Sequence, residues 1–298
     1  MALISILPNG TTAGNPNQMG NKNPPQRSET VGWNYQVTRR LKKWFYSIPV
    51  TSLSGHGYAF TLTLKKCPKT SDEFAKLRGS YLKRLERLNY IRVQWLTEWQ
   101  RRGVPHLHGI VYFDSEQDPK KLINIWCSLA DPKYTAKSWA QDCKHITDVL
   151  GWLDYLAKHA GRSATHYQRS PENVPQGWKK TGRMWGARGN WEVREPMRFE
   201  IDQEGFYKYR RIAKSIYHSN VRERLNVVAR SRLAHQSLQN LRESNKSQFK
   251  QYSQSKRVLK VSDKDLGRMM GVSDWIDQDD SIKIITWLGS QGHRVVQA

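Results

Sequence analysis

The residues most able to do chemistry stand in Pro105-His106-Leu107-His108-Gly109-Ile110, where two histidines alternate within an apolar run. In a β-strand, residues two apart project from the same face, so both imidazoles can reach one ligand while Leu107 points the other way. The preceding run, Ile91 to Trp99, is also strand-like, and Gln100 to Pro105 between them contains Gly103, suited to a hairpin turn. A hairpin centred on residue 102 sets Glu98 opposite His106 on a shared face. Two imidazoles and a carboxylate then converge with coordination positions to spare, which is the pattern of a catalytic metal site. An N/N/O set with room for water and phosphate oxygens accepts Mg²⁺ or Mn²⁺, and the imidazoles also admit zinc or nickel. The same pattern equally suits two hydrogen-bonded strand histidines with no metal.

A second candidate lies in the segment DVLGWLDYLAKHAG, which reads as a helix closed by Gly161. Val149, Leu150, Leu153, Leu156, Ala157 and Ala160 form its apolar stripe, and Tyr155, Lys158 and His159 lie on the opposite side. A tyrosine with an ammonium one turn away can supply an activated phenolate, or it can be a structural tyrosine beside a solvated lysine.

The elements that must position these groups follow from periodicity. YAFTLTLK from residue 58 alternates as a half-buried strand, and TSDEFAKLRGSYLKRLERLNY reads as a helix with Ser71 as cap and Phe74, Leu77, Tyr81, Leu85 and Leu88 on one face. The two strands of the hairpin follow, then a helix over 118–130 and a short strand over 143–149. The resulting order, βαββαβα, predicts an α+β fold of the ferredoxin or RRM-like kind, a four-stranded antiparallel sheet with helices on one face and the other free for a ligand. Residues 1–32, dominated by Gly, Asn, Pro, Gln, Thr and Ser, read as a disordered arm. Residues 33–57 form a basic and aromatic lead-in, either a short helix or an extended arm, and 58–204 the catalytic domain. Residues 205–298 form a basic, mainly helical C-terminal region, with 14 Lys or Arg against 2 Glu between 205 and 260.

Taken together, the parts resemble the HUH endonucleases, specifically the rolling-circle replication initiators, or Rep proteins, of plasmids and single-stranded DNA phages. FTLTL at 60–64 is similar to the first, structural motif of that family, PHLHGI to its metal motif and YLAKH at 155–159 to its nucleophile motif. EWQRRGVPHLH resembles the branch related to filamentous phage gene II proteins, and GRMWG at 182–186 a further segment of it. The resemblance spans about residues 58 to 192. It implies that His106, His108 and Glu98 hold a divalent metal, Mg²⁺ or Mn²⁺, against the scissile phosphate. It further implies that Tyr155 attacks in line to leave a 5′-phosphotyrosine and a free 3′-OH, and that Lys158 positions the phosphate or offsets its charge. Arg101, Arg102, Arg162 and Arg183 are then candidate DNA backbone contacts. Some Reps carry a second tyrosine where this chain has His159, so the resemblance points to a one-tyrosine enzyme. Implied partners are single-stranded and origin DNA with a host helicase and polymerase, since no P-loop occurs in the sequence.

Composition agrees with a polyanionic partner. The chain of 298 residues carries 49 Lys and Arg against 26 Asp and Glu, a formal charge of +23, interleaved with 12 Trp and 13 Tyr on which bases can stack. There is no apolar run long enough to cross a membrane and no signal-peptide pattern at MALISILPNG, so the expectation is a cytoplasmic protein without a membrane partner, and the resemblance to phage and plasmid Reps implies the host bacterial cytoplasm. Cys67, Cys127 and Cys143 form no CxxC pair, which argues against a zinc knuckle or disulfide framework. A histidine-triad hydrolase would need a third alternating histidine where Ile110 stands, and a zinc deaminase a PCxxC motif. Two alternatives remain, a non-catalytic RRM-like single-strand-binding protein and a one-tyrosine HUH transposase.

Overall fold

The computed structural model describes residues 1–14, 32–146, 159, 166–233 and 272–298. The chain divides into two compact units, one of Pro25–Val193 and the other of Met1–Pro24 with Arg194–Ala298. The boundary lies between residues 193 and 194, earlier than the 204 expected.

In the Pro25–Val193 unit, a helix α1 (Tyr35–Tyr46) precedes strand β3 (His56–Leu62), helix α2 (Ser71–Glu86), strands β4 (Tyr90–Trp99) and β5 (Pro105–Phe113), helix α3 (Pro119–Ala130), strand β6 (Asp142–Ile146) and strand β7 (Trp185–Gly189). The sheet is antiparallel throughout, in the order β6-β3-β5-β4-β7. Its first four strands have the RRM-like order, and β7 is added beside β4. Asn34 caps α1 by accepting from the Val37 amide at 2.8 Å. Thr70, one residue before the expected Ser71, caps α2 by accepting from the Glu73 amide. Glu73 in turn accepts from the Lys69 amide.

One sheet face packs on α2 and α3, where Phe60, Tyr81 and Trp126 meet edge to face at 5.6 Å in each pair. The opposite face is not free as expected. Leu96, Gln94 and Ile110 on it are fully buried, and Trp44 of α1 meets Trp185 of β7 there at 5.8 Å. Residues 33–57 thus supply a helix to this face, because Val37, Leu41 and Phe45 recur at helical spacing and bury. The segment expected as a helix over 148–161 lies outside the described residues except for His159.

The other unit corrects one expectation. Residues 2–13 are not a disordered arm but a hairpin of β1 (Ala2–Leu7) and β2 (Gly10–Ala13). Most of the described residues after 205 lie in helices, as expected, and two short strands accompany them. With β8 (Met197–Ile201), β9 (Val272–Asp274) and β10 (Val295–Gln297), the hairpin completes a sheet ordered β10-β8-β1-β2-β9, accompanied by helices α4 (Gln203–Leu233) and α5 (Gln278–Ser290). Ala2, Ile4 and Ile6 alternate inward onto Ile201, Phe206, Ile285 and Leu288. The Gly- and Asn-rich stretch that follows dominates the composition of residues 1–32 and conceals this short alternation.

Asp202 ties that unit together at the start of α4, accepting from the Gly205 amide and from the Arg294 amide, each at 2.7 Å, beside His293 at 3.3 Å. Burial opposes its charge, but these donors hold its carboxyl below the usual value. Asp202→Ala is expected to lower stability by about 1 kcal/mol, read from urea unfolding at pH 7. The wild-type advantage stays full above the unfolded carboxyl's pKa and fades as pH falls through the lower folded one.

Candidate active site

The β4–β5 hairpin has the register that spacing suggests, with Glu98 opposite His106 and Leu96 opposite His108. On the far side of β5, Thr61 stands opposite His108. Glu98, His106, His108 and Thr61 therefore share the sheet face that α1 partly covers. Glycine follows His108 for a steric reason. A Cβ at Gly109 would lie 2.1 Å from the Phe60 ring and 2.7 Å from the Gln94 carbonyl oxygen. Gly109→Ala is expected to cost about 1–3 kcal/mol through overpacking, measurable by urea unfolding monitored by circular dichroism.

Glu98 is fully buried and His108 nearly so. The carboxylate's Oε1 accepts from Arg169 Nε at 2.9 Å, while Oε2 lies 3.5 Å from His108 Nε2 and 3.7 Å from His159 Nδ1. Arg169 is itself fully buried. Its Nη2 donates to the His159 carbonyl at 2.6 Å, and its guanidinium lies 4.1 Å from the centre of the Trp33 ring. Trp33 is fixed in turn by donation from Nε1 to the Thr97 carbonyl at 2.7 Å. Burial alone would raise the Glu98 carboxyl, but the hydrogen bond and charge of His159, then Arg169 and His108, hold it well below the usual carboxylate range.

The two motif histidines stack at 4.4 Å but are anchored differently. His108 Nδ1 shares a 3.0 Å hydrogen bond with the Thr61 hydroxyl, which directs Nε2 toward Glu98. Fixing the second imidazole nitrogen in this way is how proteins orient a metal-binding histidine. The 3.5 Å between His108 Nε2 and Glu98 Oε2 is close to the spacing of two ligands on one ion with bonds of about 2.1 Å. His106 Nδ1 faces Gln100 Nε2 at 3.1 Å. Arg102 Nε donates to Gln100 Oε1 at 2.7 Å, which fixes the amide so that its nitrogen is the atom facing the ring. His106 Nδ1 then accepts, and the neutral ring carries its proton on Nε2. A cation thus fits the donor chemistry of His108 and Glu98, whereas His106 must leave Gln100 to join them. Among the described residues no three His, Cys, Asp or Glu side chains are already gathered as a metal-holding group.

The remaining expected residues fall in different places. Tyr155, Lys158 and Arg162 lie outside the described residues. Arg101 is exposed, 4.9 Å from the centre of the Tyr167 ring. Arg102 is turned inward upon the chain, donating to the Lys65 and Leu64 carbonyls as well as Gln100. Arg183 is exposed, and its carbonyl accepts from Arg78. Sequence spacing does not reveal Arg169, which meets Glu98, or Trp33, which meets Arg169, because both come from beyond the motifs and are brought there only in three dimensions. The position of His159, four residues after Tyr155, is its one signal.

Residues 57–164 match the family model described as replication-associated protein ORF2/gene 2 protein. The chain is 38% identical to the replication-associated gene 2 protein of Pseudomonas phage Pf3 over 98% of its own length and 99% of that protein's. It belongs to this family. The family match includes both histidines, Glu98 and His159. A protein of Xylella fastidiosa strain 9a5c, described provisionally as a replication protein, is 33% identical over 90% of each chain. Another from strain Temecula1 is 38% identical over 63% of this chain and 74% of that protein. No solved structure matches the chain.

Proposed function

We propose that this member of the phage replication-associated protein family initiates rolling-circle replication by nicking single-stranded DNA at an origin and later rejoining the strand. The observation that carries this reading is the clustering of Glu98, His108 and His159. Tyr155 stands four residues before His159 in the sequence.

In the proposed reaction the Tyr155 phenolate oxygen attacks the scissile phosphorus. The P–O3′ bond breaks, giving a 5′-phosphotyrosine and a 3′-hydroxyl that takes up a proton. Lys158 offsets charge on the phosphate oxygens. With Mg²⁺ or Mn²⁺ held by His108 and Glu98, and by His106 once released from Gln100, the phosphate would be polarised toward attack. Arg169 positions Glu98 and His159. Reversal by an incoming 3′-hydroxyl rejoins DNA without ATP, because the phosphotyrosine conserves the bond energy. Extension of the free 3′-hydroxyl falls to a host polymerase and unwinding to a host helicase, in the bacterial cytoplasm. No described helix is long and apolar enough to cross a membrane.

The test is cleavage of labelled single-stranded DNA from the protein's own replicon, with Mn²⁺ and with EDTA, resolved on denaturing gels. The expected result is a covalent protein–DNA adduct that the chelator suppresses. Tight binding without an adduct under any metal would leave an RRM-like binding protein instead.

A further inference from the structure

A cavity of about 670 Å³ opens between α1 and the start of β7. One wall is a face of α1, where Arg40 and Trp44, four residues apart, are neighbours. The other is the chain from Lys180 to Ala187, including Arg183 and Trp185. Arg40, Lys180 and Arg183 are exposed, and no carboxylate is among the residues lining the cavity. Trp44 and Trp185 are each half-buried, with ring centres 5.8 Å apart and planes at 43°. The cavity therefore combines three cations with two accessible indoles, chemistry that suits a phosphate and an aromatic base together.

Its place in the sheet gives it a relation to the histidines. Trp185 stands opposite Leu96, and Leu96 opposite His108, so Trp185 and His108 share a face two strand spacings apart, about 10 Å. At about 3.4 Å per stacked nucleotide, a strand covers that distance in roughly three nucleotides.

We propose that this cavity is a binding pocket for one unpaired nucleotide of single-stranded DNA, its base against Trp44 and Trp185 and its flanking phosphates on Arg40, Lys180 and Arg183. The inference rests on the reading of the histidine face as the site of DNA chemistry and adds a second grip on the same strand. It anchors the strand about three nucleotides from the phosphate to be cut and lets the identity of the seated base influence where the nick falls.

The experiment measures binding of fluorescein-labelled (dT)20 to the full chain by anisotropy across a range of NaCl concentrations. Arg40→Ala/Lys180→Ala/Arg183→Ala is expected to weaken binding at least tenfold at low salt. It should also flatten the slope of log K against log salt by about 2, since each neutralised single-strand phosphate contributes about 0.7. Trp185→Leu is expected to weaken binding about tenfold with the slope unchanged. Near-UV circular dichroism checks that both variants fold. The proposal is overturned if folded variants bind with wild-type affinity and slope, or if wild type does not bind (dT)20. Loss of slope in the triple variant with Trp185→Leu unaffected would reduce the pocket to a phosphate site and overturn the base assignment. Pocket-dependent binding by a wild-type protein that forms no adduct on any DNA would keep the pocket and remove the replication-initiator reading.

Discussion

Arg169→Leu is expected to destabilise the Pro25–Val193 unit by about 3–5 kcal/mol at pH 7, the scale for stripping one partner from a buried ion pair. Glu98 and Arg169 are both fully buried and 2.9 Å apart, so the substitution strands a carboxylate where water cannot solvate it. Urea unfolding followed by tryptophan fluorescence checks this, and a loss below about 1 kcal/mol would contradict it. The double variant Glu98→Gln/Arg169→Leu should recover a large part of the loss, because the buried charge is then gone.

The pH dependence separates the electrostatic cause from simple packing. In the wild type the depressed Glu98 carboxyl contributes stability that is fully present above the unfolded value near 4.3 and is lost as pH falls through the lower folded value. In Arg169→Leu the carboxyl loses a cation that held it down, so a proton can neutralise it at higher pH. The deficit should therefore shrink between pH 7 and pH 4.5. A deficit constant over that range would assign the effect to lost packing against Trp33.

Tyr155→Phe is expected to reduce covalent adduct formation at least 10⁴-fold, in line with removal of a nucleophile, while leaving (dT)20 affinity within about threefold. The structure supplies a sharp control in Tyr167, an exposed phenol beside Arg101 and two residues before Arg169. Tyr167→Phe should retain adduct formation. An adduct that survives Tyr155→Phe but is lost in Tyr167→Phe would move the nucleophile without changing the reaction class.

Local signals carry much of this fold. The period-two alternation of β3 and β5 and the caps and stripes of α2 and α3 are written in consecutive residues. The Glu98–His106 pairing follows from the length of one turn, so half of the candidate site is legible in the amino-acid sequence alone. Arg169 is not, because a guanidinium 71 residues beyond its carboxylate leaves no periodic trace. Nor is the covering of the second sheet face by α1, since a basic, aromatic helix has the same composition as a solvated arm. The strand Ala2–Leu7 is hidden for a related reason, its three inward residues being outweighed by the polar stretch behind them.

That strand has a consequence for how the protein comes into being. Ala2 pairs with Ile201 and Ile6 with Met197, so this strand leaves the ribosome nearly 200 residues ahead of its partner β8. The sheet strands of the Pro25–Val193 unit are all synthesised before β8 appears, and domains generally fold as units during synthesis. Throughout that interval the strand is an apolar ribbon with an open edge, a template for pairing with other nascent chains. Aggregation during synthesis should therefore track the residence time of this N-terminal ribbon, and slower elongation between residues 14 and 197 should worsen it.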